Sequence, residues 1–215
     1  MMGKCLFMRK GDTHTPPGSR LPSWYIELAY IQSSGTQWID TEFIPVSQNM
    51  RVECGFLCTS FAQGRSLFGS QYSDNQFSII PYSGNSNSVG WYVGTTANIL
   101  NTEISANVMY SLSAETENGT FSLTINETRK SSAYSGNLVT QMPFSIFGNN
   151  NQYTGGISQL SSMRVYWFKI YDNGTLVRDF VPCINPSGAV GLYDLVGKQF
   201  YGNAGTGVFT GSEVA

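Results

Sequence analysis

The sequence predicts an all-β fold in which antiparallel strands form a sandwich of two sheets. Short segments of alternating apolar and polar residues follow one another to the end of the chain, and no stretch keeps a helical period. Two pairs, Asn118-Gly119 and Asn173-Gly174, are typical of the tight turns that join neighbouring antiparallel strands. All-β sandwiches of 215 residues are commonly one domain, so we expect one core.

The clearest predicted hairpin spans residues 110–125. A type I′ turn needs positive φ at both central positions, which Asn118 and Gly119 adopt readily. This two-residue turn fixes the register of the flanking strands. The facing pairs are Leu112 with Ile125 and Ala114 with Leu123 on an apolar face, and Ser113 with Thr124 and Glu115 with Ser122 on a polar face. We therefore expect one face in the core and one in solvent.

A second hairpin is predicted around Asn173-Gly174, between residues 164–171 and 175–181. Large apolar side chains occur on both faces of this pair, so both faces are expected to be covered. The simplest register sets Lys169 opposite Arg178. Like charges directly opposite each other are unfavourable unless the strands twist apart, so this register is the weaker part of the prediction.

The compact domain is expected to span residues 24–215 and to close with a ribbon of residues 190–194 and 198–202. Residues 1–23 are expected to form an extended N-terminal arm or linker, because proline, glycine and polar residues follow one another in residues 9–23 without a hydrophobic period. Such chain ends are disordered unless a contact holds them. Three apolar residues near the start are candidates for a docking segment: Leu6, Phe7 and Met8. The alternative is an arm that packs back on its own domain.

Charge and hydropathy argue against two classes of partner. The net charge is −2 and no run of Lys and Arg could neutralise a phosphate backbone, so nucleic acid is not expected to bind. No apolar stretch approaches the roughly 20 residues of a transmembrane helix, so membrane insertion is not expected. The first ten residues lack the apolar core of a secretory signal, so export by that route is not expected either.

The four cysteines are expected to be free thiols. Cys54 and Cys58 share one face of an alternating segment about 13 Å apart, which is too far for a disulfide. Zinc binding is a weaker alternative, because the cysteine spacing differs from that of zinc motifs and the single histidine, His14, lies in a proline- and glycine-rich segment. We therefore expect no cofactor and no metal.

Two regions carry a resemblance to a known family. They are residues 30–41 (YIQSSGTQWIDT), and residues 172–183 (DNGTLVRDFVPC) with 191–194 (GLYD). Together they resemble laminin G-like, concanavalin A-like jelly-roll proteins of gut bacteria and their phages. The resemblance implies a jelly-roll sandwich from Trp24 onward, and it implies fold more directly than function. Members of this group include glycan-binding modules and components of virion fibres, tails or capsids.

The sequence lacks a constellation for catalysis. Retaining glycosidases on a related sandwich carry an E-x-D-x-x-E pattern, because their mechanism needs two carboxylates about 5 Å apart, and that pattern does not occur here. The nearest candidates, Glu115 and Glu117, adjoin the Asn118-Gly119 turn, where both are expected to face solvent at a hairpin edge. A Ser-His-Asp triad would need His14 in the arm. We therefore expect a protein that is not an enzyme.

Aromatic rings beside amides and carboxylates suit sugars, whose C–H faces stack on rings while their hydroxyls bind polar groups. The candidate ligand-binding residues are Tyr72, Asp74, Asn75, Trp91, Tyr92, Asn150 and Tyr153. The alternative for each is a structural role in a strand or an asparagine-rich turn. Trp38 and Trp167 are expected in the core. By the family resemblance, a calcium site using Asp40 or Asp74 is an alternative that no dense carboxylate cluster supports.

These expectations combine into one hypothesis, a non-enzymatic surface protein of a phage virion, such as a capsid or tail decoration or a fibre. Its arm would bind other virion proteins, and its jelly roll would bind host-surface glycan, with a homo-oligomer as a further expectation. One alternative is a bacterial carbohydrate-binding module or divergent glycosidase, located outside the cell or on the bacterial surface. The other is a purely structural protein that stabilises a capsid or an oligomer.

Overall fold

The computed structural model describes residues 20–83 and 88–214. Within these residues every regular element is a strand, apart from one 3-10 turn at Gln152–Thr154. The strands form two sheets, and their pairing is antiparallel with one exception. The predicted all-β, two-sheet sandwich is therefore confirmed.

The larger sheet has ten strands, numbered in chain order across both sheets. They are β1 (Ile26–Gln32), β3 (Met50–Cys58), β8 (Met109–Glu117), β9 (Thr120–Ile125), β10 (Thr128–Ala133), β14 (Met163–Asp172), β15 (Thr175–Ile184), β16 (Val190–Asp194), β17 (Gln199–Tyr201) and β18 (Thr210–Glu213). The spatial order is β10-β9-β8-β3-β14-β1-β15-β16-β17, and β18 pairs with β1.

The smaller sheet has eight strands. They are β2 (Ile39–Asp40), β4 (Phe68–Tyr72), β5 (Asn75–Ser83), β6 (Ser88–Val93), β7 (Thr96–Glu103), β11 (Ser145–Ile146), β12 (Asn149–Asn151) and β13 (Gly156–Ser158). The spatial order is β13-β12-β4-β5-β6-β7, and β11 pairs with both β2 and β4. β12 and β4 are the one parallel pair.

Phenylalanine rings join the two sheets across the core. Phe68 of β4 packs edge-on against Phe168 of β14, with the ring centroids 5.3 Å apart. Phe77 of β5 lies 6.1 Å from Phe121 of β9. All four residues are fully buried. Because such aromatic pairs contribute about 0.5–1.5 kcal/mol beyond the area they bury, these contacts help to fix how the sheets stack.

The Asn118-Gly119 hairpin forms in the predicted register. Asn118 has φ 49° and Gly119 has φ 74°, as a type I′ turn requires. All four predicted facing pairs of β8 and β9 are present, Leu112 with Ile125, Ala114 with Leu123, Ser113 with Thr124 and Glu115 with Ser122. The apolar pairs are buried, so this hairpin has the predicted core face.

The second hairpin forms, but its predicted register is wrong beyond the turn. Pairing starts as expected from the turn, with Asp172 opposite Thr175 and Tyr171 opposite Leu176. The register then shifts by one residue, so that Ile170 faces Arg178. Lys169 consequently faces Asp179 instead of Arg178, with Nζ 3.8 Å from a carboxylate oxygen. The irregularity therefore replaces an unfavourable like-charge pair with an ion pair.

A bulge in β14 changes which side chains face the core. Val165 pairs with Phe56 of β3 and Trp167 with Gly55, so Tyr166 is an extra residue on β14. Trp167 lies over Gly55, where a Cβ atom would come within 2.6 Å of the indole Nε1. This is the outer face of the sheet, so the expectation that Trp167 belongs to the core is wrong.

The same bulge explains why β14 has apolar residues on both faces. Its outward side chains are partly exposed instead of covered by another layer. Tyr166 packs edge-on against Tyr30 of β1 with ring centroids 5.6 Å apart, and the Arg164 guanidinium lies 4.3 Å from the centre of the Tyr30 ring. Mutual packing of these side chains therefore replaces the cover that we expected.

The predicted ribbon near the end of the chain forms from β16 and β17 and is joined by a turn around a buried carboxylate. Asp194 is fully buried and accepts hydrogen bonds from the backbone N–H groups of Asp179, Val196 and Gly197 at 2.9–3.0 Å. Its Oδ2 also lies 3.6 Å from Nε of Arg178. Asp194 therefore ties β15 to the β16–β17 turn.

Packing against the larger sheet includes Leu21. Leu21, which we predicted from sequence to lie in the arm, is buried against Val181, Cys183 and Tyr193 on the outer side of the larger sheet. The candidate docking residues Leu6, Phe7 and Met8 lie outside the described residues.

Three of the four cysteines are buried free thiols, as predicted, and Cys5 lies outside the described residues. Burial raises the pKa of Cys58 and Cys183 from 9.0 to about 12, and for Cys183 the negative charge of Glu27 acts in the same direction. Burial and the charge of Glu53 also raise the pKa of Cys54. These thiols are therefore protonated at neutral pH.

We expect Cys54, Cys58 and Cys183 to resist iodoacetamide in the folded protein, because the thiolate is the reactive species. Mass spectrometry of a Cys5→Ser variant at about pH 8 should show no adduct before unfolding and three after it. Since the folded-state pKa values exceed the unfolded ones, the stability tied to these thiols is intact below pH 9 and is lost as the pH rises towards about 12. Rapid labelling of the native variant would contradict this arrangement.

Candidate functional site

The β4–β5 turn and the Gln152–Thr154 turn meet at one end of the smaller sheet. Because β12 runs parallel to β4, with Asn151 beside Gln71, the turns that follow these strands lie side by side. Ser73 N donates to Gln152 Oε1 at 2.9 Å, and Asn151 Nδ2 donates to Gln71 Oε1 at 2.8 Å. We call this surface the amide–tyrosine rim, and it comprises Gln71, Tyr72, Asp74, Asn75, Gln76, Tyr92, Asn151 and Tyr153.

The 3-10 turn presents Tyr153 to solvent. Asn151 precedes the turn in an extended conformation, and its Oδ1 accepts a hydrogen bond from Tyr153 N at 2.8 Å. Gly155 ends the turn with φ 71° and donates its N–H to Gln152 O. Tyr153 is 65% exposed, so its ring is held by its hydrogen-bonded backbone and remains accessible to a ligand.

Three amide side chains form a row across β12, β4 and β5. Asn151 faces Gln71, and Gln71 faces Gln76, so alternation places all three on the outer face of the sheet. Tyr92 of β6 pairs with Ser78, two residues from Gln76, and therefore lies on the same face. These four side chains are partly exposed. The row therefore offers donors, acceptors and one ring to solvent.

The β4–β5 turn adds the remaining members of the rim. Asp74 is exposed, and neither Asp74 nor Gln76 has a side-chain hydrogen bond to another described residue. Tyr72 and Asn75 face each other, on the side of the strand pair opposite to Gln71. Asn75 Nδ2 donates to Val139 O at 3.4 Å. The carboxylate of Asp74 is therefore available to a ligand, while Asn75 also holds the turn.

Two of the predicted ligand residues lie where a ligand cannot reach them. Trp91 is 4% exposed and packs on Phe121 of the opposite sheet, with the rings 4.1 Å apart. Asn150 is buried, and its Nδ2 donates to Pro143 O at 3.1 Å. These two positions are corrected to structural roles, because the strand alternation turns both inward. Trp38 packs against the core as expected.

The two glutamates weighed for catalysis lie on the larger sheet, away from the rim. Both adjoin the Asn118-Gly119 turn on the outer face of β8, which is an interior strand between β3 and β9. The Glu115 side chain is 33% exposed and has Oε2 3.6 Å from an Arg129 nitrogen. Glu117 is exposed, as expected. The Glu115 carboxylate is thus engaged with a neighbouring cation.

Residues 20–83 and 88–214 contain no group of three His, Cys, Asp or Glu side chains that could hold a metal ion. Asp40, one of the two candidates for calcium, instead accepts a hydrogen bond from Glu42 N at 2.9 Å. The same part of the chain has no helix of the length and apolarity needed to cross a membrane.

The comparison with known proteins identifies a fold and no sequence family. The sequence matches no family model and no curated protein. A Bacteroides ovatus protein proposed to bind carbohydrate is 10% identical, with a TM-score of 0.59 over 88% of this chain and 61% of that protein. A heptameric SAP-like pentraxin of Limulus polyphemus is 13% identical, with a TM-score of 0.50 over 68% of this chain and 74% of the pentraxin.

At these identities the likeness shows the fold alone, a jelly-roll sandwich consistent with the concanavalin A-like and laminin G-like type. The enzymatically active domain of tailspike protein 2 from bacteriophage CBA120 is also similar, with 13% identity over 74% of this chain and 30% of that domain. The TM-score with that domain is 0.43.

Proposed function

We propose that this protein is a non-enzymatic carbohydrate-binding protein and that its ligand docks on the amide–tyrosine rim. The observation that carries the proposal is the exposed Tyr153 ring beside the row of Gln71, Gln76 and Asn151. An accessible ring can stack on the C–H face of a sugar. Neighbouring amides can donate to and accept from its hydroxyls, and the Asp74 carboxylate can accept from two of them.

The exposure of the rim sets the strength of binding that we expect. Tyr153 and Asp74 leave much of a bound sugar in water, so a single site should bind weakly. Many copies on one particle would raise the overall avidity without any new contact. Weak binding by a single site therefore supports a setting in which many copies of the protein act together.

The proposal includes a virion setting, in which the N-terminal arm binds other virion proteins and the rim binds host-surface glycan. Its support is the resemblance of residues 30–41, 172–183 and 191–194 to jelly-roll proteins of gut bacteria and their phages. Co-purification of the native protein with assembled particles is the direct check of this part. The sugar-binding part does not depend on it.

A non-enzymatic role is supported by the placement of the carboxylates. Glu115 is ion-paired with Arg129 on the larger sheet, and Glu117 is exposed beside the hairpin turn. Neither belongs to the rim. Hydrolysis of a glycan that is abolished by Glu115→Gln would overturn this part of the proposal.

We expect Tyr153→Ala to weaken glycan binding about tenfold, which corresponds to about 1.4 kcal/mol. The reason is the loss of one exposed stacking ring, while folding should change little because the residue is 65% exposed. A glycan array identifies a bound sugar, and calorimetry with that sugar then compares the variant with the parent protein.

Trp24→Ala is the matched control, because Trp24 is also 65% exposed and lies outside the rim. It should bind the sugar as the parent does. An equal loss in both variants would contradict the assignment of the rim. An empty array would favour the purely structural role.

A further inference from the structure

A concave site lies at the other end of β4 from the rim, where three loops meet. It encloses about 250 Å³. The lining residues that matter for its chemistry are Ser34, Gly35, Ser60, Phe61, Arg65 and Ser162. Three residues of β4, Phe68, Gly69 and Ser70, separate it from the first rim residue, Gln71, which at about 3.3 Å per residue is at least roughly 10 Å. We call it the Arg65 pocket.

The first wall of the Arg65 pocket is the turn after β1, and it is fixed internally. Gln37 Oε1 accepts from Ser34 N at 2.8 Å, and Ser33 Oγ accepts from Gly35 N at 3.0 Å. Gly35 has φ 103°, and a Cβ there would lie 3.1 Å from Ser162 Oγ. A side chain at this position would be strained and would crowd the pocket. The YIQSSGTQWIDT stretch therefore builds a rigid wall.

The other walls are held to each other by hydrogen bonds. Ser162 O accepts from both the backbone N–H and the hydroxyl of Thr59, at 3.1 and 2.9 Å. Ser66, next to Arg65, donates from its N–H to Gln159 O at 2.8 Å and from its hydroxyl to Gln159 Oε1 at 2.7 Å. The segments that carry Ser60, Arg65 and Ser162 are thus positioned without a ligand.

The pocket contains one charge and several neutral polar groups. Arg65 is the charged residue of the lining, and it forms no ion pair or hydrogen bond with another described residue. Ser34, Ser60 and Ser162 add hydroxyl groups that can donate or accept. Phe61 adds a partly buried aromatic wall. A guanidinium is matched in geometry to a carboxylate, which it can bind through two parallel N–H bonds.

We infer that the Arg65 pocket binds a sugar residue that carries a carboxylate, such as a hexuronate. The carboxylate pairs with Arg65, the ring hydroxyls bind the serines, and the apolar face of the sugar packs on Phe61. A volume of 250 Å³ suits one such residue rather than a longer chain. The choice of a sugar over another carboxylate rests on the proposed carbohydrate-binding role, whereas the pocket itself does not require the rim.

The test is an NMR titration of the full chain with glucuronate and galacturonate, and in parallel with glucose and acetate. We expect saturable shifts with at least one hexuronate, binding at least tenfold weaker for glucose, and weaker binding for acetate. Arg65→Gln should reduce hexuronate affinity at least tenfold. Arg65→Lys should retain part of it, because lysine keeps the charge and loses the two-bond geometry. Arg65 is exposed, so both variants should keep the parent melting temperature.

Tyr153→Ala separates this inference from the proposed function. It should leave the hexuronate titration unchanged if the pocket acts independently of the rim. An unchanged hexuronate affinity in Arg65→Gln would overturn the inference, and so would equal binding of glucose. Acetate binding as tightly as the hexuronates would show a simple anion site and overturn the choice of a sugar. Hexuronate binding that is lost in Tyr153→Ala and kept in Arg65→Gln would assign the ligand to the rim instead.

Discussion

Replacing Asp194 with alanine is expected to lower the free energy of unfolding by about 3–5 kcal/mol. The carboxylate is fully buried, and it accepts from the backbone N–H groups of Asp179, Val196 and Gly197. It also lies 3.6 Å from Nε of the partly buried Arg178. Its removal leaves three backbone N–H donors without this acceptor and takes away the negative charge beside Arg178, whose guanidinium keeps its bonds to the carbonyls of Thr41 and Val177. Each unpaired donor costs free energy when water cannot replace the partner.

Urea denaturation followed by circular dichroism measures this effect. Asp194→Asn should cost less than Asp194→Ala, because the amide oxygen can still accept from some of the same N–H groups. Asp74→Ala is the control, since this exposed aspartate should change stability by no more than about 0.5 kcal/mol. A loss below about 1 kcal/mol in Asp194→Ala would refute the structural role of the carboxylate.

Replacing Trp91 with alanine is expected to destabilise the fold by about 3–5 kcal/mol. Trp91 is 4% exposed, and its ring contacts Phe121 across the core at 4.1 Å. Alanine would leave a cavity between the sheets, and the surrounding strands can close it only in part. If Trp91 instead contacted a ligand, alanine would change binding and leave stability nearly unaltered.

The neighbouring Tyr92 provides the matched control for Trp91. Tyr92 lies on the outer face and is partly exposed, so Tyr92→Ala should cost about 1 kcal/mol or less. Its effect should appear in glycan binding at the rim. Calorimetric melting of Trp91→Ala and Tyr92→Ala distinguishes core packing from ligand contact at each position. Equal destabilisation of the two variants would contradict the inward placement of Trp91 and the outward placement of Tyr92.

The fold was predictable where local geometry determines it. Asn118-Gly119 fixed a register that the structure reproduces pair by pair, because a two-residue turn leaves the strands no freedom. The register beyond Asn173-Gly174 was not predictable. It depends on the irregular pairing between Ile170 and Tyr171 of β14 and strand β15, and on the pairing of β14 with β3. The β3 residues lie more than a hundred positions earlier in the chain.

The candidate site was predictable in part. The stretches around Asp74 and Tyr153 lie in turns and at strand ends, as predicted. Their adjacency was not predicted, because it depends on the parallel pairing of β12 with β4. The inward direction of Trp91 had a signal in the sequence, because the apolar residues Val89 and Val93 lie two positions before and after it and so share its face of the strand. Both valines are buried in the structure. The Arg65 pocket had none, since its walls come from segments far apart in the chain.

The extra residue Tyr166 divides β14 into two halves of opposite phase. Before it the inward positions are odd-numbered, Met163 and Val165, and after it they are even-numbered, Phe168 and Ile170. Regular alternation through Tyr166, without the bulge, would turn one half inside out and direct Arg164 or Lys169 at the phenylalanine rings. The bulge therefore lets a strand whose apolar residues change from odd to even positions direct all of them into one core, and a relative that lacks Tyr166 would reach the same core by simple alternation.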